Sequence, residues 1–202
     1  MQIRDRALSF EEFLDWYPED GKRYELIEGV VFEMRPTGPH EDISGYLVAE
    51  FNVEIRRQNL PFSVPRTCLL KPQALRSGYQ PDVIVLDRDR LGDELLWPTA
   101  SVIQNGQTVP LVVEVASTNW GDDYGHKCVE YEAMGIAEYW IVDYRALGAV
   151  RYIGQPKRPT ITIFYLVGGE YELQRFTAGQ RLRSRVFPEL QLKADDIFAI
   201  AS

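Results

Sequence analysis

Two short apolar runs of this sequence each carry a carboxylate, and this feature constrains the fold more than any other. Asp82 lies in the run at residues 81–86, and Glu114 lies in the run at residues 110–115. Both runs are rich in Val, Ile and Leu, which is typical of strands buried on both faces of a mixed or parallel sheet. A carboxylate in such a strand has to be hydrogen-bonded, paired with a cation or bound to a metal.

The remaining pattern predicts helices and strands mixed along the chain. Ser9 and Glu12 have the spacing of a capping box, and Gly168 and Gly169 separate two strand-like runs in the manner of a hairpin turn. Residues 87–108 are expected to form an insertion or exposed loop. The predicted elements are, in order, a short helix from Ser9, strands at 24–27 and 30–34, a helix at 40–57, strands at 62–70, 81–86 and 110–115, a helix at 122–134 ending at Gly135, a strand at 138–143, and hairpin strands at 160–167 and 170–176.

Length and composition place the chain among ordinary globular proteins. Its 202 residues, 45% hydrophobic and 26% charged, exclude disordered and fibrous classes and predict one domain over residues 1–202. We expect a core at about 9–145 and a basic, β-rich extension at 146–193. No apolar run approaches the roughly 20 residues of a membrane span, and no secretory signal is visible at the N-terminus, so a cytoplasmic location is expected. Two cysteines and two histidines are too few to favour a zinc site.

Charge is distributed unevenly along the chain. Residues 1–144 hold 13 basic and 25 acidic residues, whereas residues 145–193 hold 9 basic and 3 acidic ones. The net charge of −8 argues against a generally adhesive nucleic-acid binder, because neutralising phosphates requires clustered Lys and Arg. The basic segment can be a set of solvated strand faces or a phosphate-binding face, and composition leaves both open.

Four charged residues are candidates for chemistry. Asp82 and Glu114 on neighbouring strands offer hard oxygen ligands of the kind that Mg²⁺ prefers. Lys127 follows on the next helix and could stabilise charge on a reacting phosphate, or it could form an ordinary helical pair with Asp123. Glu25 adds a further acid on the first strand. Each carboxylate taken alone can also be structural.

These motifs together resemble a known family. The succession of a capped helix at Ser9, Tyr24-Glu25-Leu26-Ile27-Glu28-Gly29, a helix opening at His40, Pro81-Asp82-Val83, Val113-Glu114-Val115, Asp123 with Lys127 and Tyr131, and Glu138-Tyr139-Trp140-Ile141-Val142-Asp143 is similar to the putative restriction endonuclease family (Uma-type) of the PD-(D/E)XK nuclease superfamily. The resemblance covers roughly residues 9–145. It implies a restriction-endonuclease-like α/β core, a mixed central sheet flanked by helices, here with a C-terminal β-hairpin extension.

The resemblance also implies roles for the candidate residues. Asp82, Glu114 and the carbonyl of Val115 would bind Mg²⁺ or Mn²⁺. The superfamily's usual lysine position is Ala116 here, so the family pattern assigns the lysine role to Lys127, which would position the attacking water. Glu25 would hold a second metal or its water shell.

Two further residues are candidates for support. His40 could contact phosphate or tune Glu25, or it could simply open its helix. Tyr131 could orient Glu25 or Lys127, or it could be a core residue.

The resulting hypothesis is a metal-dependent endonuclease acting on nucleic acid, with DNA as the expected substrate. One alternative is a non-cutting nucleic-acid-binding or assembly protein on the same fold, because fold does not determine function. A second is a phosphohydrolase of small molecules, and a third is a domain whose acids are structural. Aromatic residues around Tyr139 and Trp140, expected to be exposed, could form the interface of a homodimer together with the terminal hairpin.

Overall fold

The computed structural model describes residues 7–201. Residues 1–6, on which the expected absence of a secretory signal rests, and residue 202 lie outside this range. Within it the strands are β1 (Arg23–Ile27), β2 (Val30–Met34), β3 (Phe62–Ser63), β4 (Leu69–Leu70), β5 (Val83–Asp87), β6 (Val102–Ile103), β7 (Leu111–Val115), β8 (Glu138–Asp143), β9 (Thr160–Val167) and β10 (Glu170–Phe176). The α-helices are α1 (Phe10–Trp16), α2 (Gly38–Gln58), α3 (Trp97–Ala100), α4 (Trp120–Asp122), α5 (Cys128–Met134), α6 (Val150–Ile153) and α7 (Ala194–Ile200).

A six-stranded mixed sheet forms the centre of the molecule. Its strand order is β10-β9-β8-β7-β5-β3, in which β7 and β8 run parallel and the other neighbours are antiparallel. Residues of β5 and β7 are buried on both faces of the sheet, because helices cover each face. The mixed sheet flanked by helices confirms the predicted architecture.

The first predicted helix and hairpin are both present. Ser9 and Glu12 form the reciprocal capping box at the start of α1, with the Glu12 N–H donating to Ser9 Oγ and the Ser9 N–H donating to Glu12 Oε2. β1 and β2 pair antiparallel across a turn in which Glu28 and Gly29 both have positive φ. Two central residues with positive φ are typical of the tight turns whose twist matches that of paired strands.

Helix α2 covers one face of the central sheet. Its apolar residues pack against alternate side chains of the sheet, such as Val83, Val113 and Trp140. The helix ends at Asn59, which adopts the left-handed conformation that caps helix C-termini. Helix α7 packs beside α2 on this face, and it is an element that the sequence pattern did not predict.

A continuous helical segment of residues 120–134 covers the other face. It consists of α4, a five-residue π-helical stretch at Asp123–Lys127, and α5. The segment ends at Gly135, whose φ of 81° confirms the predicted cap. Tyr124 and Tyr131 pack from this segment onto the sheet.

Two predicted segments differ from the structure. The expected strand at 62–70 is two short strands, because the chain containing Pro65 leaves the central sheet after β3 and pairs elsewhere as β4. In the segment at 87–108, most of residues 88–101 are exposed, as expected, but Val102 and Ile103 are fully buried and form β6, which pairs parallel with β4. Apolar burial and strand pairing therefore fasten this segment to the body of the protein.

The predicted hairpin at the C-terminal side is present as β9 and β10. β9 also pairs with β8, so the hairpin continues the central sheet. The expectation that Tyr139 and Trp140 are exposed is wrong, because both lie in β8 and are fully buried by the layers on either side. Among the helices of residues 7–201, none combines the length and apolar character needed to cross a membrane.

Candidate functional site

The antiparallel pairing of β5 and β7 brings the two acids of the apolar runs together. Val83 pairs with Val113, and the same register continues to place Asp82 beside Glu114. Opposite residues of antiparallel strands point to the same face of a sheet. The Val115 N–H also donates a 2.8 Å hydrogen bond to Asp82 Oδ2. Both carboxylates therefore lie at one end of the central sheet.

Glu25 reaches the same place from the small hairpin. Gly78 is bridged to Leu26 of β1, and the chain then runs through Gln80 to Asp82. The Gln80 N–H donates a 3.0 Å hydrogen bond to Glu25 Oε1, and Glu25 is 1% exposed. The segment that precedes β5 therefore links the hairpin to the central sheet and holds Glu25 near Asp82.

Lys127 lies at the centre of these carboxylates. Its Nζ is 3.0 Å from Glu25 Oε1 and 3.1 Å from Glu114 Oε1. A third contact, of 3.5 Å, joins Nζ to Asp123 Oδ1 on the same helix. The two sequence interpretations of Lys127, a helical pair and a lysine near the strand ends, thus describe contacts that are both present.

Tyr131 supports the cluster from the helix side. Its hydroxyl donates a 2.9 Å hydrogen bond to Glu114 Oε1, so its polar partner is Glu114 and not the expected Glu25 or Lys127. Its ring packs edge-on against Tyr79 and Tyr139. Tyr131 is therefore both a core residue and a hydrogen-bond donor to the site.

His40 and Arg23 flank Asp82 on its outer side. His40 Nε2 lies 2.8 Å from Asp82 Oδ2 without the geometry of a hydrogen bond, so the contact is a charge pair when the imidazole is protonated. Arg23 Nη2 lies 3.5 Å from Asp82 Oδ1 and also donates to the Gln80 and Pro81 carbonyls. Burial alone would raise the pKa of Asp82, but His40 and Arg23 outweigh that effect and its pKa is lowered.

The inner carboxylates have the opposite shift. Burial raises the pKa of Glu114 well above its usual value despite the nearby Lys127 ammonium, and Asp82 adds to the effect. Burial also raises the pKa of Asp123 to about 7. For Lys127, burial favours the neutral form, but Glu114 and Glu25 outweigh it and raise its pKa well above the usual value. The cluster thus holds one ammonium among more carboxylates than it neutralises, which favours uptake of a proton or a cation.

A small cavity of about 30 Å³ joins these groups, with Glu25, His40, Asp82, Glu114, Val115 and Lys127 all among its lining residues. The carboxylates and the excess negative charge suit a hard divalent cation. Across residues 7–201, however, no three His, Cys, Asp or Glu side chains are already arranged around one cation position. The donor set therefore fits a cation in chemical type through Asp82 and Glu114. Glu114 also contacts Lys127, as do Glu25 and Asp123.

The structure brings together every site residue predicted from the sequence. Arg23 was missed, although a signal existed: alternation along β1 places Arg23 and Glu25 on the same face. Gln80 was also missed. It donates to Glu25 through its backbone N–H, which nearly every residue type has, so the sequence could not indicate this contact.

Comparison with known proteins agrees with this architecture. Residues 10–195 match the Uma2 family model, described as putative restriction endonuclease, and no curated protein matches the chain. The fold is similar to the crystal structure of a putative nuclease belonging to DUF820 from Anabaena variabilis, with a TM-score of 0.72 and 18% identity over 96% of this chain and 99% of that chain. This likeness confirms the nuclease-like fold, and the family match confirms the expected resemblance. The chain belongs to the Uma2 family of putative restriction endonucleases.

Proposed function

We propose that this protein is a divalent-metal-dependent endonuclease that hydrolyses phosphodiester bonds of DNA. Its family supports nuclease-type hydrolysis and a nucleic-acid substrate. One observation carries the proposal: the buried Lys127 ammonium lies within 3.1 Å of both Glu25 and Glu114, in a cavity that also includes Asp82. Burying a lysine among carboxylates costs desolvation free energy. Clusters of buried groups with strongly shifted pKa values concentrate at functional sites.

Asp82, Glu114 and the Val115 carbonyl would hold the cation, Mg²⁺ or Mn²⁺. The bound cation would supply Lewis acidity toward a phosphate oxygen and lower the pKa of a water. The Val115 N–H and His40 keep the Asp82 carboxylate at the strand end. The Tyr131 hydroxyl, on the helix, donates to Glu114 and keeps that carboxylate in place.

Lys127 would orient the attacking water and stabilise the negative charge that develops on the phosphate. Its high pKa keeps it charged at neutral pH, which this role requires. Glu25 would hold the Lys127 ammonium in place and would contribute to a second cation or its water shell. His40, beside Asp82, also lines the cavity and would contact the phosphate.

The experiment that tests the function combines metal binding with cleavage. Mn²⁺ and Mg²⁺ are titrated calorimetrically into the wild type and into Asp82→Asn and Glu114→Gln, and nicking of a supercoiled plasmid is followed with the same samples. We expect both variants to lose metal binding and nicking. Lys127→Met should lose nicking.

A matched control separates the site from general stability. Glu94 is also a buried carboxylate, but it accepts hydrogen bonds from the Gln104 and Asn105 N–H groups, away from the cluster. Glu94→Gln should therefore keep metal binding and nicking. DNA binding without any cleavage would overturn the proposal in favour of a non-cutting protein, and cleavage of a model phosphoester with DNA untouched would favour a small-molecule phosphohydrolase. A matching RNA substrate tests the choice of DNA.

We also propose a homodimer. Since Tyr139 and Trp140 are buried, the hairpin of β9 and β10 is the remaining part of the predicted interface. Two copies would place two sites on the two strands of a duplex. Light scattering during gel filtration measures the mass, and a monomer at micromolar concentration would contradict this proposal.

A further inference from the structure

A groove of about 340 Å³ opens beside the carboxylate cluster. It shares Asp82 and His40 with the small cavity of the site, so a molecule in the groove would lie next to the proposed reaction centre. Its volume is at the lower end of the range for ligand pockets, about 300–1,000 Å³, which suits one segment of an extended chain.

Three arginines line the groove, although the chain as a whole is acidic. Arg23 comes from β1, Arg35 follows β2 and Arg145 follows β8, and the two acids of the lining are Glu33 and Asp82. Guanidinium groups bind phosphate oxygens in pairs of parallel hydrogen bonds, with an orientation that lysine cannot match. The lining therefore suits an anion that carries several phosphate oxygens.

The three arginines differ in how far they are already engaged. Arg35 Nε is paired with Glu33 Oε1 at 2.7 Å, and Arg23 contacts Asp82 and two backbone carbonyls. Arg145 is exposed, and it forms no ion pair or side-chain hydrogen bond anywhere in the part of the chain that the structure describes. Arg145 can thus bind a phosphate without giving up another partner.

The structure also divides the basic segment that composition singled out. The N–H groups of Arg185 and Val186 bind Glu138 at the first residue of β8, whereas Arg145 follows the last residue of that strand. Six residues at about 3.3 Å each separate the two ends by roughly 20 Å. Arg183 and Arg185 therefore lie at the far end of the sheet, and Arg145 is the member of the segment that lines the groove.

We infer that the groove holds the phosphodiester backbone of one nucleic-acid strand, with Arg145 contacting a phosphate next to the one that is cleaved. The inference rests on the proposed function in taking the strand as substrate. Tyr144 is half-buried in the same lining and offers a ring on which a base could stack, a contact that is tolerant of sequence. The backbone contacts would give affinity without reading sequence.

The test measures binding separately from cleavage. A fluorescein-labelled single-stranded DNA 12-mer, and an RNA of the same sequence, are titrated with the full protein in EDTA and again in Ca²⁺, over a series of NaCl concentrations. Binding weakens as salt rises, so log K falls with log salt. Arg145→Gln should make this fall less steep, by about 0.7 in the slope, which is the loss expected for one phosphate contact with a single strand. Arg145→Lys should keep the slope. Arg183→Gln removes the same charge at the far end of the sheet and should leave slope and affinity unchanged.

A second arm locates the phosphates. Methylphosphonate linkages, which carry no charge, replace the phosphodiesters one at a time; one position should weaken binding to the wild type but not to Arg145→Gln. Equal slopes for Arg145→Gln and Arg183→Gln, or no strand binding by the wild type in either buffer, would overturn the inference. A plasmid that is cut while Arg145 has no effect rejects the groove alone, whereas Arg145-dependent binding with no cutting rejects the nuclease function alone.

Discussion

The Lys127 ammonium lies 3.1 Å from Glu114 Oε1, even though the position two residues after Glu114, where nuclease lysines of this superfamily usually stand, is Ala116. The helix after β7 therefore supplies the charge that the strand lacks. Side chains from a strand and from the helix packed on it can occupy the same space above a sheet. Under the proposed function, the chemistry would depend on where the ammonium is, and less on which element carries it.

Replacing Lys127 with Met should destabilise the protein by about 3–5 kcal/mol, because Glu25, Glu114 and Asp123 would lose their buried cation. The loss should be smaller at pH 5 than at pH 8, since protonated carboxyls need no counter-charge. Urea unfolding at both pH values measures it. Lys71→Met removes a lysine from a pair with Glu11, which is mostly exposed, and should cost less than about 1 kcal/mol. Similar losses for the two variants would contradict the buried ion cluster.

Tyr131→Phe should cost about 1.5–3 kcal/mol, because the ring still fits its site while Glu114 loses a hydrogen bond to its carboxyl group. Tyr139→Phe removes a hydroxyl that donates to the backbone carbonyl of Asp123, and it should cost about 1 kcal/mol. Chemical denaturation compares the two. We also expect nicking to fall for Tyr131→Phe and to persist for Tyr139→Phe; equal activity in both would show that Tyr131 serves only the core.

Asp123 should make the protein less stable as the pH rises from about 4 to about 7. Its pKa of about 7 in the folded state is above the usual value of 3.8, so folding favours the protonated form. That stabilisation is complete below pH 4 and is lost as the pH passes the folded-state pKa. Relative to Asp123→Asn, the wild type should lose up to about 4 kcal/mol over this range, three pKa units at 1.36 kcal/mol each. Unfolding curves in metal-free buffer test this, and a difference between the two proteins that does not change with pH would refute it.

Gly106→Ala should destabilise the protein by about 1–3 kcal/mol or more. A Cβ at this position would lie 2.1 Å from the Met134 carbonyl oxygen at the end of α5, and backbone cannot move away easily. Gly92→Ala, in the same segment between β5 and β7, meets nothing within 4 Å and should stay within about 0.5 kcal/mol of the wild type. Thermal unfolding of both variants is the measurement. An unchanged melting temperature for Gly106→Ala would mean that the segment is not packed against α5.

The elements that could be predicted from sequence are those with a strong local pattern. The capping box at Ser9 is a property of neighbouring residues, and so is the helix α2, in which Ile43, Leu47, Phe51 and Ile55 follow one another at four-residue spacing. Helix α7 was missed because its buried side chains are few, Ala194 and Ile197, and it depends on packing against α2. The pairing of β6 with β4 was missed because each strand has two residues, and no local pattern identifies a partner more than thirty residues away.

For the candidate site, the sequence was enough to predict which residues take part, but not which of them contact one another. A carboxylate in an apolar strand is a signal at Asp82 and Glu114 because burial of a charge is costly wherever it occurs. The partner of Tyr131 could not be predicted, since it depends on how the helix lies on β7. Arg145 was not predicted to be a site residue, because the charge composition of the basic segment does not indicate which arginine lies at which end of β8.

The π-helical stretch at residues 123–127 has a consequence for how this site tolerates genetic change. Successive residues of an α-helix turn by 100°, and a π turn accommodates an extra residue within the helix. Loss of the single codon for Gly125 would keep the reading frame and every charged side chain discussed above. Because the π turn holds one residue more than an α turn, the deletion would let the segment close into a regular α-helix, in which Asp123 and Lys127 stand three residues apart and remain neighbours on one face. The π-helical stretch is thus a place where the segment can lose one residue while the charged side chains on either side stay on the same face of the helix.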